Sequence, residues 1–284
     1  MTARTEPAII LRDITSIAEV REVEELQKEV WAMSDRDIVP LTQLIAAREV
    51  GGILIGAFDG NRLVGFVYGF PGFESGHPVI HSHMAAVKES YRGHQLGFQL
   101  KLAQRDQALA QGINRMSWTF DPLQNLNAHF NFTKLGVVSN QYRVDFYGET
   151  SSSFLHRGGT DRLWVSWLLD SPRVKQRLDV KSRVEPSFNE LEDLAHLTRV
   201  GSKGRPIRNE RAEALTLPQL IIEIPAQGME DPELVFDWRD ATRLAFTKAL
   251  GAGYLVEEFY YDSPSHRTIG KYLLNAGKRN VAWN

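Results

Sequence analysis

The chain contains no cysteine among its 284 residues. This absence excludes disulfide bonds, thiolate metal ligands and a cysteine nucleophile. No apolar run approaches the roughly 20 residues that a membrane-spanning helix needs, and the first residues lack the apolar core of a signal peptide. We therefore expect a cytoplasmic protein that has no membrane partner.

The sequence also lacks a strong excess of charge of either sign. Its net charge is −2 and its pI is near 6.5, so it has no general attraction to nucleic acid. Apolar residues make up 43% of the chain and charged residues 24%, an ordinary composition for a globular protein. The length predicts one large domain or two ordinary ones.

Hydrophobic patterns and turn residues predict an α/β protein. The predicted strands are 8–11, 53–58, 62–70, 79–87, 115–121, 137–146, 162–169, 220–224, 254–261 and 271–274. The predicted helices are 17–31, 41–50, 97–110, 125–135 and 231–250. Segments 71–78 and 150–160 are expected to be loops, and the basic segments 173–182 and 202–211 to be linkers or loops.

The stretch 83–101 carries the most specific signal. It reads as a strand, a tight loop with Arg92, Gly93 and Gly97, and a helix. Free backbone N–H groups and the helix dipole attract anions to a helix N-terminus, and glycine lets a bulky anion approach the backbone. The sequence therefore predicts an anion-binding loop here.

This loop resembles the pyrophosphate loop of the GCN5-related N-acetyltransferase (GNAT) superfamily, whose pattern is Gln/Arg-x-x-Gly-x-Gly/Ala. The matching residues are Arg92, Gly93, His94, Gln95, Leu96 and Gly97, with Gln95 in place of the middle glycine. The order of elements over 9–170 and the segment 125–136 are also similar to this superfamily. Together with 118–123, they resemble a long subgroup of predicted acetyltransferases with a C-terminal extension.

The resemblance implies a GNAT fold, an α/β (α+β) fold, in residues 5–170, and a smaller α/β extension of unknown role in 171–284. The mixed central sheet would splay between strands 79–87 and 115–121. The splayed edge would hold an acyl-CoA, with Ala85, Ala86 and Val87 on the pantetheine arm and the loop 92–97 on the pyrophosphate. Asn127 and Phe132 are further cofactor-binding candidates.

The implied activity is CoA-dependent N-acyl transfer by direct attack. An acetyl group, or a succinyl group from succinyl-CoA, would pass to a primary amine of a small molecule such as an amino acid. The resemblance requires no metal and no nucleic acid partner, and it allows a homodimer. The candidate arginines for binding a carboxylate are Arg143, Arg157 and Arg162.

The catalytic candidates are His83, Asp121 and Tyr147. His81 and His83 are two residues apart on a strand, so both are expected on one face with Val79, Ala85 and Val87. A histidine there can take a proton from an ammonium nucleophile, and His83 is preferred over His81. The alternative is that both histidines are core residues bonded to neighbouring backbone.

Asp121 ends the strand on the other side of the split, where it would orient His83 or bind the acceptor amine. The alternative is a turn that ends the strand, since Asp precedes Pro122.

Phe132 occupies the position of a tyrosine that, in many GNAT proteins, donates a proton to the leaving thiolate. Tyr147 and Tyr142 are candidate replacements, and both are equally interpretable as interface aromatics. Arg239 and Arg243 are expected on one helix face. One interpretation is a clamp that binds a carboxylate of the acceptor; the preferred one is a solvated face, with Trp238 and Phe246 buried on the other side.

Two other functions stay open. Gln95 and Phe132 depart from the GNAT pattern, which favours a non-catalytic CoA-binding regulatory module. The basic stretch 173–211 favours nucleic-acid binding, although the acidic pI opposes it.

Overall fold

The computed structural model describes residues 9–148, 158–179, 191–209, 211–226, 229–261 and 268–277. The chain forms two compact units that divide between Trp118 and Thr119. The described part of the first unit is 9–118, and the second unit comprises 119–148 and the described residues from 158 onwards. The domain boundary expected after Asp170 stays a prediction.

The first unit is a mixed sheet with helices. Its strands are β1 (Ile9–Asp13), β2 (Ile53–Asp59), β3 (Arg62–Glu74), β4 (His77–Val87) and β5 (Arg115–Phe120, whose last two residues belong to the second unit). Its helices are α1 (Ile17–Trp31), α2 (Leu41–Glu49) and α3 (Leu96–Ala110). The strand order is β1-β2-β3-β4-β5. β1 to β4 pair antiparallel and β5 pairs parallel to β4.

Local sequence signals explain how these elements begin. Ser16 and Glu19 form a capping box at the start of α1, with side chain and backbone bonded reciprocally. Apolar residues of α1, α2 and one face of the sheet then form a common core, for example Val23, Leu44 and Phe66.

The loop predicted at 71–78 is wrong. β3 continues through Gly72 to Glu74, and β4 begins at His77. Only Ser75 and Gly76 form the turn, with φ angles of 51° and 82°. Two positive φ angles suit a tight hairpin turn, so the Pro and Gly residues around the turn do not end the strands.

The second unit is also a mixed sheet with helices. Its helices are α4 (Asn125–Ala128, continued by π-helical turns His129–Leu135), α5 (Pro172–Leu178) and α6 (Pro232–Gly251). Its strands are β6 (Val138–Arg143), β7 (Arg162–Leu168), β8 (Ala195–Val200), β9 (Pro206–Arg208), β10 (Gln219–Pro225), β11 (Leu255–Tyr261) and β12 (Ile269–Asn275). The strand order is β7-β6-β11-β12-β10-β8-β9, in which β8 and β10 are parallel.

The basic segment 173–182 is a helix over its first part, not the expected linker. Ser171 caps α5 and Pro172 occupies its first position, where proline is favourable. Arg173 and Arg177 both pair with Glu258. These arginines therefore serve contacts within the second unit. The segment 202–211 likewise contains β9, which pairs with β8.

Two ion pairs hold α6 in the second unit. The Arg239 guanidinium donates to both oxygens of Asp121 at 2.7 and 2.8 Å, and Arg243 donates to both oxygens of Asp161 at 2.8 Å. Arg239 is only 3% exposed, so the preferred interpretation as a solvated face is wrong for this residue. Trp238 and Phe246 are buried as predicted.

We expect Arg239→Met to lower the free energy of unfolding by about 3–5 kcal/mol, because it leaves a buried carboxylate without its partner. Urea unfolding measures the change. The control Lys175→Met breaks the exposed ion pair with Asp170 and should cost less than about 1 kcal/mol. Equal losses of unfolding free energy in the two variants would show that the buried Asp121–Arg239 pair stabilises the fold no more than an exposed ion pair does.

Candidate active site

The strands β4 and β5 part soon after they meet. Their pairing is limited to Ile80 with Met116 and His81 with Ser117, whereas β4 stays paired with β3 as far as Val87. The edge of β4 beyond His81 therefore has no described partner strand on the β5 side. This is the splayed sheet that the resemblance to the GNAT superfamily implies.

The loop between β4 and α3 presents backbone N–H groups. Arg92 bonds back to the Val87 carbonyl oxygen at 3.3 Å, and Gly93 has a φ angle of 87°. Within the described residues, no hydrogen bond uses the N–H groups of 93–97. A Cβ added at Gly93 or Gly97 would meet nothing within 4 Å. An anion can therefore reach these donors at the positive end of α3.

Gln95 adopts the backbone conformation for which glycine is favoured. Its φ is 56° and its ψ is 15°, in the left-handed region that costs a residue with a side chain about 1–2 kcal/mol. Its carbonyl oxygen accepts from the N–H groups of Phe98 and Gln99 at 2.9 and 3.0 Å. The departure from the glycine pattern therefore keeps the turn and adds strain.

A β-bulge places His83 at the point where the strands part. Tyr68 faces Met84 and Gly69 faces Ser82, so His83 is the extra residue of β4. The bulge interrupts the alternation of faces. His81 thus shares its face with Met84 and Ala86, opposite Phe70, Tyr68 and Phe66, and not with Ala85 and Val87 as expected.

The two histidines form a cluster with aromatic rings of β3. The His81 and His83 ring centroids are 6.2 Å apart, and those of Phe70 and His81 are 5.4 Å apart. Burial lowers the pKa of His81 to about 4, helped by His83 and Lys101. Burial also lowers the pKa of His83. Both imidazoles are therefore neutral at pH 7, and each has one acceptor nitrogen.

Lys101 lies on the other side of β4, in contrast to the outward position expected from the sequence. It is 3% exposed, and its Nζ donates to Ser82 Oγ at 2.8 Å and to Gln104 Oε1 at 3.1 Å. The Nζ also lies 3.7 Å from the Trp118 ring centroid. Burial brings the pKa of Lys101 well below its ordinary value.

Residues 15–137 match the sequence model of the Acetyltransferase (GNAT) family. This segment is a GNAT domain. The chain is accordingly an enzyme of the N-acetyltransferase class, and the part of the second unit after residue 137 lies outside the match.

Solved acetyltransferases are similar to the chain at low identity, and no curated protein matches it significantly. The Escherichia coli ribosomal-protein-S18-alanine N-acetyltransferase is 10% identical, with a TM-score of 0.45, over 57% of this chain and 95% of that chain. A GNAT-family acetyltransferase from Streptococcus pneumoniae is 14% identical, with a TM-score of 0.45, over 56% and 98%. Arabidopsis thaliana Naa50 is 15% identical, with a TM-score of 0.44, over 56% and 97%.

The GNAT domain brings together the predicted residues of β4 and the loop. Ala85, Arg92, Gly93, His94 and Gln95 are exposed, Val87 and Gly97 are half-buried, and Ala86 and Leu96 are buried. Because the side chains of Ala86 and Leu96 are buried, these two residues could contact a ligand only through their backbone groups.

The other predicted residues belong to the second unit, and their roles stay predictions. The Asp121 carboxylate is held by Arg239 and also accepts from the Leu123 N–H at 2.9 Å. Asn127 is exposed. Phe132 is fully buried against the rings of Phe120 and Tyr272, so it offers no ring surface to a ligand in this conformation.

The two candidate tyrosines differ in environment. Tyr142 donates to Asp161 at 2.7 Å, and burial together with this carboxylate raises its pKa. Tyr147 is 43% exposed, and its ring faces the Arg162 guanidinium at 5.2 Å. Tyr147 is therefore the more accessible proton donor. Arg157 lies outside the described residues.

Sequence reasoning missed three residues that surround His81, namely Glu74, Arg115 and Ser117. Ser117 Oγ is 3.3 Å from His81 Nδ1 and donates to Glu74. Arg115 donates to the same carboxylate at 2.8 Å. The only signal was the polar face of the strand 115–121, because Glu74 was assigned to a loop.

No helix in the described residues is long and apolar enough to cross a membrane.

We expect Gln95→Gly to raise the free energy of unfolding by roughly 0.5–1 kcal/mol, since relief of the left-handed strain exceeds the entropy cost of glycine. Thermal unfolding measures this change. The matched variant Gln99→Gly, in the exposed first turn of α3, should lower the free energy by about 1 kcal/mol. A loss of stability in Gln95→Gly would contradict the assigned conformation.

We expect His81 to make folding less favourable in acid. Below pH 6.5 the unfolded chain protonates this histidine, whereas the folded chain does so only near pH 4. Stability is therefore lost as the pH falls through this window, by up to about 1.4 kcal/mol per pH unit. His81→Gln should flatten the pH dependence of the urea unfolding free energy between pH 6.5 and 4, and an unchanged slope would refute the shift.

Proposed function

We propose that the chain transfers an acetyl group from acetyl-CoA to a primary amine of a small molecule. The observation that carries this proposal is the open N–H cluster of 93–97 at the start of α3, next to the edge of β4 that has no partner strand among the described residues. The first feature suits a pyrophosphate and the second suits an extended amide chain. A GNAT domain that joins the two is suited to an acyl-CoA.

The residues of the first unit fit this donor. The backbone N–H groups of 93–97 and the Arg92 side chain would hold the pyrophosphate. The β4 edge at Ala85, Ala86 and Val87 would bond to the pantetheine arm. The open space beside Gly93 and Gly97 supports the fit, because no side chain fills the approach to the backbone. When bound, the donor supplies a thioester carbonyl for attack.

The acceptor would meet the surface formed by Phe70, His81 and His83. This surface combines aromatic rings with imidazoles that are neutral at pH 7, so it can desolvate an amine and accept its proton. It carries no fixed positive charge of its own that would repel an ammonium group. A small amine such as an amino acid is therefore the proposed acceptor class. The proposed location of the protein is the cytoplasm.

Thermal unfolding with CoA, acetyl-CoA or succinyl-CoA tests the donor. A ligand at 100 times its dissociation constant stabilises the fold by about 2.7 kcal/mol, which is readily seen in the unfolding midpoint. We expect a shift with CoA and the largest shift with acetyl-CoA. A larger shift with succinyl-CoA would change the proposed donor, and no shift with any of the three would overturn CoA binding.

Gly97→Glu gives the sharpest control. A glutamate in the first turn of α3 suits the helix dipole and enters open space, so the free protein should keep its stability. Its charge would repel a pyrophosphate, so the ligand-induced shift should disappear. Gly251→Glu adds the same charge at an open glycine of the second unit and should keep the shift. A shift without turnover over a broad amine panel would favour the non-catalytic CoA-binding module.

A further inference from the structure

A cavity of about 230 Å³ lies in the second unit, where it is bounded by residues of α6, β8 and β9. One face of α6 contributes four residues at helical spacing, namely Ala241, Leu244, Ala245 and Lys248. The cavity is smaller than the roughly 300–1,000 Å³ of pockets that hold drug-sized ligands, so its size suits a small metabolite.

The floor of this cavity is apolar. Ala241 and Ala245 are one helical turn apart and are 1% and 6% exposed. They belong to the buried face of α6, but their short side chains leave the space that larger ones would fill. Leu197 of β8 is also buried and lines the same cavity. An aliphatic group placed here would be removed from water, which is favourable.

The remaining lining carries positive charge. Arg208, Arg211 and Lys248 line the cavity and are exposed, whereas no aspartate or glutamate is among the lining residues that the structure describes. Asn209 fixes the segment between the two arginines. Its side chain donates to the His196 carbonyl oxygen at 3.1 Å and accepts from the Arg211 N–H at 3.2 Å.

The two arginines are available to an anion. Arg208 donates to the backbone carbonyl oxygen of Asp237 at 3.4 Å, which places its guanidinium beside α6, one turn before Ala241. The Asp237 carboxylate itself is paired with Arg205. In the part of the chain that the structure describes, neither Arg208 nor Arg211 forms an ion pair with a carboxylate.

We propose that this cavity binds a small carboxylate that has an apolar body and no ammonium group. The guanidinium groups would donate to the carboxylate, for which their planar geometry is suited, and the floor would take the apolar body. An ammonium group on the ligand would meet only cations and no acidic side chain of the lining, so a free amino acid is disfavoured. The lining has no histidine, hydroxyl or carboxylate side chain, so the site suits binding and not catalysis.

Isothermal titration calorimetry of the full-length protein tests the ligand class. The probe 4-methylpentanoate carries a carboxylate and an apolar body, acetate carries the charge alone, and 4-methylpentanamide carries the body alone. Leucine has the skeleton of 4-methylpentanoate with an added ammonium group. We expect 4-methylpentanoate to bind about 10-fold or more tightly than each of the others, since only it satisfies both parts of the cavity.

Variants of the lining locate the site. Ala245→Leu fills the floor and should abolish binding of 4-methylpentanoate, and its unfolding midpoint checks that the fold is kept. Arg208→Gln combined with Arg211→Gln changes only exposed side chains and should weaken binding about 10-fold or more. The control Arg199→Gln removes an exposed cation of β8 that pairs with Glu192 and does not line the cavity. It should leave the affinity unchanged.

Three results would overturn the proposal. Unchanged affinity in the double arginine variant would place 4-methylpentanoate outside this cavity. Tighter binding of leucine would refute the exclusion of an ammonium group. An absence of binding at about 10 mM 4-methylpentanoate, which fills even a millimolar site, would refute the site itself. The titration needs neither an acyl donor nor turnover, so its result is independent of the acyl transfer proposed above.

Discussion

The parting of β4 from β5 after His81 and Ser117 is the constraint on which the first unit depends. A buried sheet normally satisfies every backbone polar group through its neighbours. Here β4 keeps its bonds to β3 as far as Val87, whereas beyond His81 no strand among the described residues pairs with its other edge. The bulge at His83 lies directly beyond the last pair, and the added twist of a bulge is one physical reason for strands to diverge.

The parting also separates two polar clusters on the faces of β4. On the α3 side, Lys101, Ser82 and Gln104 form hydrogen bonds with one another beneath the strand. On the opposite side, His81 is bonded to Ser117 and through it to Glu74. The lysine and the imidazole influence each other across one strand, since the ammonium contributes to the low basicity of His81. The chemistry of this face is therefore partly determined by a residue that no ligand on it can touch.

Many of the elements and the loop between β4 and α3 could be predicted from the sequence, because they depend on local signals. Helical and alternating apolar patterns predict α1, β2 and α3, and Arg92, Gly93 and Gly97 mark the loop. The bulge at His83 could not be predicted, since an extra strand residue has no signature without its partner strand. The burial of Lys101 and the pairing of Asp121 with Arg239 likewise depend on contacts distant in sequence. In α5, the charges of Arg173 and Arg177 were mistaken for a solvated linker, because their acceptor, Glu258, lies 85 and 81 positions away.

The Asp121–Arg239 pair also bears on how the protein can be divided. Asp121 lies within the GNAT domain, yet the guanidinium that pairs with it belongs to Arg239, 118 positions later in the chain. A chain that ended after residue 137 would keep the Asp121 carboxylate and lose the Arg239 guanidinium that compensates its charge. Removal of the C-terminal part would therefore leave a buried carboxylate without its cation, which is costly for folding.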